Sequence, residues 1–369
     1  CIKMMASPFS DKRVKYFAVC WNNLKLISTF NSKNLINYIQ SAGNHIVKVL
    51  YNVINLTNNV RSSETSSLQR SLMIPPVRSS ETIRKTSFNF TAFYKYYNEL
   101  NNSPINIDDN WLTWFIGFSE GDGALLRQKN KLRFVLTQKE GKILYHIKNI
   151  LNIGQIKFYP QGKNNKNGYY RLIVTNPKEI YILALIFNGN LVLNSKLNQF
   201  KYWIDILNTS CNFNKLIFID KLQTISLHNA WISGFTDAEG CFNVSVIKNT
   251  RYNLGYVTKL RFILDQNDEI VLNMIKNLFN TGNVSLRSKS INHYRYTITG
   301  FNNFNDLINY LEKYPLKSQK YNSFLKWKNI YTMIINKEHL TLEGLNKIQV
   351  LKTKINIENS LTNKTGKKL

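Results

Sequence analysis

FIGFSEGDG, residues 115–123, recurs as WISGFTDAEG, residues 231–240, and each copy ends in an acid followed by glycine. Gly117 and Gly121 are four apart, and so are Gly234 and Ala238. On an α-helix this spacing puts both small residues on one face. Small residues so placed let two helix backbones approach closely, as they do between membrane helices. Phe115, Phe118, Trp231 and Phe235 remain to pack the flanks into a core. The two helices are therefore expected to meet along a seam, with Asp122 and Glu239 converging at their C-terminal ends. Gly123 and Gly240 are expected to be left-handed caps that turn the chain into a strand. Asp108 or Asp109 is the expected N-cap of the first helix.

Carboxylates at helix C-termini are opposed by the helix dipole, and two that converge repel each other strongly at low dielectric. A divalent cation relieves both conflicts. Hard oxygen ligands with positions left for water suit Mg²⁺, and bound metal can generate hydroxide and stabilise the leaving oxygen of a phosphodiester. The bland alternative is that both acids only cap or form ion pairs, and matched acids in two copies weigh against it. Glu120 and Asp237 fall on a different helix face and are expected to be exposed or structural.

The repetition extends beyond the motif. Asp122 lies over Glu239 at an offset of 117. LRFVLTQKEGKILYHIKNILNIGQI from Leu132 lies over LRFILDQNDEIVLNMIKNLFNTGNV from Leu260, and SKLNQFKYW from Ser195 over QKYNSFLKW from Gln319. Three blocks in one order make each half a structural unit, and the two are expected to pack as a pseudo-dimer within a monomer. Within a unit the patterns read helix, two strands, helix, two strands, helix. In LRFVLTQ the residues Leu132, Phe134 and Leu136 share a face, with Arg133 and Thr137 opposite; in CFNVSVIK the set Phe242, Val244 and Val246 opposes Asn243 and Ser245. The expected class is α+β, with antiparallel sheets apolar on one face and basic or polar on the other. The expected partition is a Ser-rich extension over 1–105, a first domain over 106–215 and a second over 216–369. The extension carries two apolar stretches, Val14–Phe30 and Leu35–Leu56, and the hexamer VRSSET twice, at 60–65 and 77–82; it is expected to be a tether or leader.

Lys plus Arg number 49 against 22 acids, a net charge of +27 that points to a polyanionic partner. The longest apolar run, Tyr181–Phe187, is too short for a membrane span of roughly 20 residues. Cys1, Cys20, Cys211 and Cys241 form no CxxC pair, and the five His are scattered, which argues against zinc and HNH-type sites. A chain that begins with Cys is expected to be a processed product or a frame continued from upstream, and its N-terminus lacks the look of a transit peptide.

The paired motifs resemble those of the LAGLIDADG family of homing endonucleases and RNA maturases in its single-chain, two-motif form, from about Trp111 onward. The order of blocks, with NKEHLTLEGLNKI at 336–348, is similar to fungal mitochondrial intron-encoded members. The resemblance implies two αββαββα units whose sheets form a saddle over double-stranded DNA. It makes Asp122 and Glu239 the metal-binding catalytic acids, with Gly121 and Ala238 beside them as further metal ligands. It gives Gln138 and Gln266 the active-site polar position, and Lys196 and Lys320 the basic position near the scissile phosphates. By residues alone, those two lysines would be surface charges.

DNA contacts are expected from outward strand residues, with Lys and Arg on phosphates and Arg, Asn and Gln on base edges. In the first half these are Arg127, Lys129, Lys131, Arg133, Lys157 and Arg171. In the second they are Asn243, Ser245, Arg251, Lys259, Arg261, Arg287, Lys289 and Arg295. The halves differ at these positions, so an asymmetric target is expected. The leading expectation is a Mg²⁺-dependent, site-specific endonuclease that promotes intron mobility. One alternative is an RNA-binding maturase that assists splicing of its host intron, alone or alongside cleavage. Another is a nucleic-acid-binding protein that does not cut. Retention of both acids favours cleavage. The resemblance and the Asn-, Lys- and Ile-rich composition point to a mitochondrial location.

Overall fold

The computed structural model describes residues 88–101, 107–161, 167–210, 213–288 and 290–361. The two apolar stretches of the extension, both VRSSET hexamers and Lys289 lie outside the described residues. A short helix, α1 (Thr91–Asn101), precedes the first motif helix, α2 (Asp109–Asp122). Then follow β1 (Gly123–Gln128), β2 (Lys131–Gln138), α3 (Gly141–Leu151), β3 (Gln155–Gln161), β4 (Asn167–Val174), α4 (Pro177–Phe187) and α5 (Asn194–Ser210). The second half repeats the order with α6 (Trp231–Glu239), β5 (Gly240–Lys248), β6 (Tyr256–Gln266), α7 (Glu269–Phe279), β7 (Asn283–Leu286), β8 (Tyr294–Thr299), α8 (Asn305–Lys313) and α9 (Lys320–Ile335). A last helix, α10 (Leu342–Leu361), follows. The α+β class holds, and each unit closes with a second helix, α5 or α9, after the expected one.

Each half holds a four-stranded antiparallel sheet, ordered β1-β2-β4-β3 and β5-β6-β8-β7. The alternation read from sequence is realised in the register. Leu132, Phe134 and Leu136 are buried beneath the helices while Lys131, Arg133 and Thr137 are exposed on the other face. Helix α2 is buried from Trp111 through Glu120 on every side, because it lies between its own sheet and α6. Both halves and the seam share one connected apolar core.

Part of the expected extension belongs to that core. Phe90, Phe93 and Tyr97 are buried at helical spacing, and the Tyr97 hydroxyl donates to the Leu151 carbonyl at 2.7 Å. Asn89 and Asn190 exchange hydrogen bonds at 2.8 Å, which fixes the segment against the turn after α4. Asp108 occupies the N-cap position of α2, but no cap hydrogen bond from its side chain is formed.

The glycines after the motif acids differ from expectation. Gly123 (φ −82°) and Gly240 (φ −75°) are extended, not left-handed. What requires glycine is crowding: a Cβ at 240 would lie 2.5 Å from the Thr236 carbonyl oxygen, and one at 123 would meet the Ser119 carbonyl and lie 3.0 Å from the Phe134 ring. Among the described residues no helix is long and apolar enough to cross a membrane.

Candidate active site

The seam places the acids. A Cβ at Gly117 would press into the Trp231 carbonyl and lie 2.9 Å from Phe235 N. The reciprocal holds at Gly234, which meets the Trp114 carbonyl and lies 2.9 Å from Phe118 N. Gly121 packs against Ala238, the last small pair before the helix ends. Close backbone contact over two turns leaves Asp122 and Glu239 side by side at the C-termini.

Their surroundings follow the pseudo-twofold in residue type, although the two lysines bond carbonyls at non-equivalent positions. The Gln138 amide donates to Asp122 Oδ2 at 2.5 Å, and the Gln266 amide to Glu239 Oε1 at 3.4 Å. The Lys196 ammonium donates to the Gly123 carbonyl, and the Lys320 ammonium to the Ala238 carbonyl at 2.6 Å. Both lysines lie within electrostatic reach of both acids. The residues assigned by resemblance are thus brought together from six elements. Burial, then the like charge of Asp122, pushes the Glu239 carboxyl up to about 7, against the pull of Lys320. Burial also raises Asp122, opposed by Lys320 and by the Gln138 hydrogen bond. Burial lowers the pKa of both lysines.

The donor set fits an open cation site. Two carboxylates face one another at cost, which a divalent cation would offset. Among the described residues no group of three His, Cys, Asp or Glu could enclose a metal alone. That suits a hard cation that keeps waters and takes phosphate oxygens. Of the two expected backbone ligands, the Ala238 carbonyl already accepts from Lys320, so a cation there would use its second lone pair.

Glu120 and Asp237 are not exposed: they retain 2% and 3% of their accessibility, and hydrogen bonds satisfy both. Glu120 Oε1 accepts from the Val192 and Leu193 amides at 2.8 and 2.7 Å, and Oε2 from the Trp231 indole at 2.8 Å. Asp237 Oδ2 accepts from the Trp114 indole at 2.8 Å and the Lys317 amide at 2.7 Å; Oδ1 accepts from Ser318. A signal for these roles was present in the sequence, since Trp114/Trp231 and Glu120/Asp237 repeat at the same offset as Asp122/Glu239. Glu140 was also missed. It sits where Asp268 caps α7, yet its carboxylate accepts from Gln319 N of the other half at 3.3 Å, and burial pushes it up to about 7.

The outward faces carry most of the expected basic residues. Lys131, Arg133, Lys157 and Arg171 share one face of the first sheet, and Asn243, Ser245, Lys259, Arg261 and Arg295 one face of the second. Lys129 forms the β1–β2 turn, at positive φ, and Arg251 lies in the β5–β6 turn. Arg127 is a correction. It pairs across the hairpin with Leu132, so it stands on the helix-covered side, 4.2 Å from the Tyr202 ring of α5. Several others are already engaged: Arg295 grips Asp265 at 2.6 and 2.7 Å, Arg287 approaches the same carboxylate at 3.8 Å, and Arg261 bonds Asn243 at 2.9 Å. Arg171 rests against the stacked pair Tyr159 and Tyr169, 5.0 Å from each ring.

Comparison with known proteins gives a consistent result. The profile described as LAGLIDADG endonuclease matches residues 115–207 and 232–331. A Neurospora crassa protein described as probable intron-encoded endonuclease 4 is 34% identical over 271 residues, 72% of this chain and 48% of the relative. The chain therefore spans about half the length of that relative. The uncharacterized cox1 intron-2 37.2 kDa protein of Schizosaccharomyces pombe is 28% identical over 74% of this chain and 78% of its own length. Among solved structures, the I-SmaMI LAGLIDADG homing endonuclease bound to cleaved DNA superposes with a TM-score of 0.54 at 20% identity, over 65% of this chain and 95% of that one. The LAGLIDADG meganuclease I-AabMI bound to uncleaved DNA gives 0.53 at 24% identity, over 66% and 98%. These two likenesses show the fold.

Proposed function

The chain belongs to the LAGLIDADG endonuclease family, and we propose that it cuts double-stranded DNA at a long asymmetric target by metal-dependent phosphodiester hydrolysis, and so promotes intron mobility. One observation carries this reading: the two motif acids meet at the ends of packed helices, beneath two sheets whose outward faces are basic. The domain partition we propose is two units flanking that seam, encoded in mitochondria and acting as a monomer.

Asp122 and Glu239 would hold a divalent cation, Mg²⁺, with the Gly121 and Ala238 carbonyls beside it. When bound it would supply Lewis acidity toward the scissile phosphate and acidify a water. The protein's own groups set the rest. Gln138 and Gln266 fix the carboxylates by donating to one oxygen of each. Lys196 and Lys320, held at the helix ends, stabilise charge that grows on the phosphate as water attacks. The outward residues other than Arg127 grip the duplex, with Lys on phosphates and Arg on bases. One cleavage per strand matches one acid and one lysine per half.

The test uses a supercoiled plasmid carrying the intronless insertion sequence obtained by joining the flanking exons. Full-length protein should linearise it in Mg²⁺ and leave it supercoiled in EDTA, with a plasmid lacking the sequence uncut in both. A protein that never cuts this plasmid but accelerates splicing of its intron RNA would replace the reading with the maturase one.

Arg171 yields a second prediction. A guanidinium resting against two stacked tyrosine rings loses little freedom on contacting a base, and a bidentate contact to guanine discriminates by about 1–3 kcal/mol. Arg171→Ala should flatten selectivity at one base pair of one half-site, by up to about 100-fold in competition binding. Uniform weakening across all sequences would instead mark a phosphate contact.

A further inference from the structure

Each motif helix carries a tryptophan, a glycine and a buried acid at matching positions: Trp114, Gly117 and Glu120 in α2, and Trp231, Gly234 and Asp237 in α6. The indoles do not serve their own acids. Trp231 donates to Glu120 and Trp114 to Asp237, each at 2.8 Å and each across the seam. The remaining lone pairs of each acid point to one place in its own half, the chain entering the lysine-bearing helix. Glu120 accepts from the Val192 and Leu193 amides, and the Leu193 carbonyl accepts the Lys196 amide at 3.1 Å. Asp237 accepts from the Lys317 and Ser318 amides and the Ser318 hydroxyl, and the Ser318 hydroxyl oxygen accepts the Lys320 amide at 3.1 Å. An unbroken run of hydrogen bonds thus joins the indole of one half to the lysine of the other. Four donors reach Asp237 and three reach Glu120, so neither helix entry can shift without leaving a buried carboxyl group short of a partner.

We propose that Glu120 and Asp237 are positioning residues: with Trp231 and Trp114 they form two crossed tethers, so that the lysine serving each strand is placed by the tryptophan of the opposite half. This rests on the reading that Lys196 and Lys320 act at the two scissile phosphates. It goes beyond that reading by stating that strand cleavage depends on the seam one half at a time. The tethers make the pseudo-dimer seam part of the catalytic geometry as well as of the fold.

The experiment follows each strand separately in a supercoiled plasmid carrying the intronless insertion sequence, with full-length protein in Mg²⁺. Lys196→Met and Lys320→Met first identify, by which strand stays intact in the nicked circle, the strand each lysine serves. Trp114→Phe keeps an aromatic ring at the seam and removes the indole N–H, as does Trp231→Phe, and the volume lost with the fused ring is common to both variants. Trp114→Phe should slow the strand served by Lys320 about tenfold and leave the other within about twofold, and Trp231→Phe should do the reverse, because small misplacements of a catalytic group cost this much or more. A variant that only loosens the fold would slow both strands alike. Ser318→Ala removes a donor from the second tether without touching the seam, and should reproduce the polarity of Trp114→Phe if that variant unfolds. Equal slowing of both strands, or none, overturns the tethers. Lysine variants that cut both strands at the wild-type rate overturn the reading beneath them. Polar lysine variants together with non-polar tryptophan variants overturn the tethers alone.

Discussion

Glu239→Gln and Asp122→Asn should each leave target plasmid uncut, a loss on the order of 10³-fold or more in rate for removal of several kcal/mol of transition-state stabilisation. Binding to the target should remain within a few-fold, since affinity comes chiefly from phosphate and groove contacts on the outward sheet faces. The same variants should stabilise the metal-free protein. The folded-state pKa of Glu239, about 7, stands above its ordinary value of 4.5. A raised carboxyl contributes stability that is fully present below the unfolded value and is lost as pH rises through the folded one. Above pH 7 the folded protein therefore carries an ionised Glu239 at a cost of about 2–3 kcal/mol. Replacing it with Gln removes the cost. Thermal unfolding in EDTA should give a higher midpoint for Glu239→Gln than for wild type at pH 8, and the gap should close as pH falls below 5. Asp122→Asn should shift in the same direction. A variant that loses cleavage and stability together would show that the carboxylate is structural.

Gly117→Ala and Gly234→Ala should have the largest effect on folding. Helix propensity alone predicts a gain of about 1 kcal/mol from each substitution. The seam predicts the opposite, because the new methyl at 234 would lie 2.9 Å from Phe118 N and nearer still to the Trp114 carbonyl. Neither neighbour is a flexible side-chain end. The two backbones would have to part, with loss of packing around Trp114, Phe118, Trp231 and Phe235, all fully buried. A cost on the order of 3 kcal/mol or more follows, so the net sign is destabilising. Urea unfolding of the two variants should show it, and a midpoint at or above wild type would mean that the helices do not meet as described. Because separation of the helices also parts Asp122 from Glu239, any folded fraction should cut poorly.

The sequence by itself determined the features that repeat over short spans. Small residues four apart specify a close helix seam, a period of two specifies one apolar and one polar face per strand, and two copies of an acid at the same helix end specify their convergence. The first two are local, so a window of ten residues contains the whole signal, and the third is the same short motif found again 117 residues on. Asp122 and Glu239 were legible from the motif itself, Gln138, Gln266, Lys196 and Lys320 only through the family resemblance, and the structure brings all six into one cluster.

Tertiary structure alone decided the rest. The helical wheel put Glu120 and Asp237 on a different face from the seam, whereas each accepts an indole N–H across it. It could not show that the chain returns 73 and 80 residues later to bury them beneath the helix entries at Leu193 and Lys317. Arg127 was misplaced because its side of the sheet depends on the register across the β1–β2 hairpin, not on its own charge or its neighbours. Gly123 and Gly240 were correctly singled out for the wrong reason, since crowding against the preceding helical turn is invisible until the strand's direction is known. The segment around α1 went unread because the partners of Tyr97 and Asn89, Leu151 and Asn190, lie 54 and 101 residues away. Periodicity states which face of an element is apolar, and only the packed chain states what that face meets.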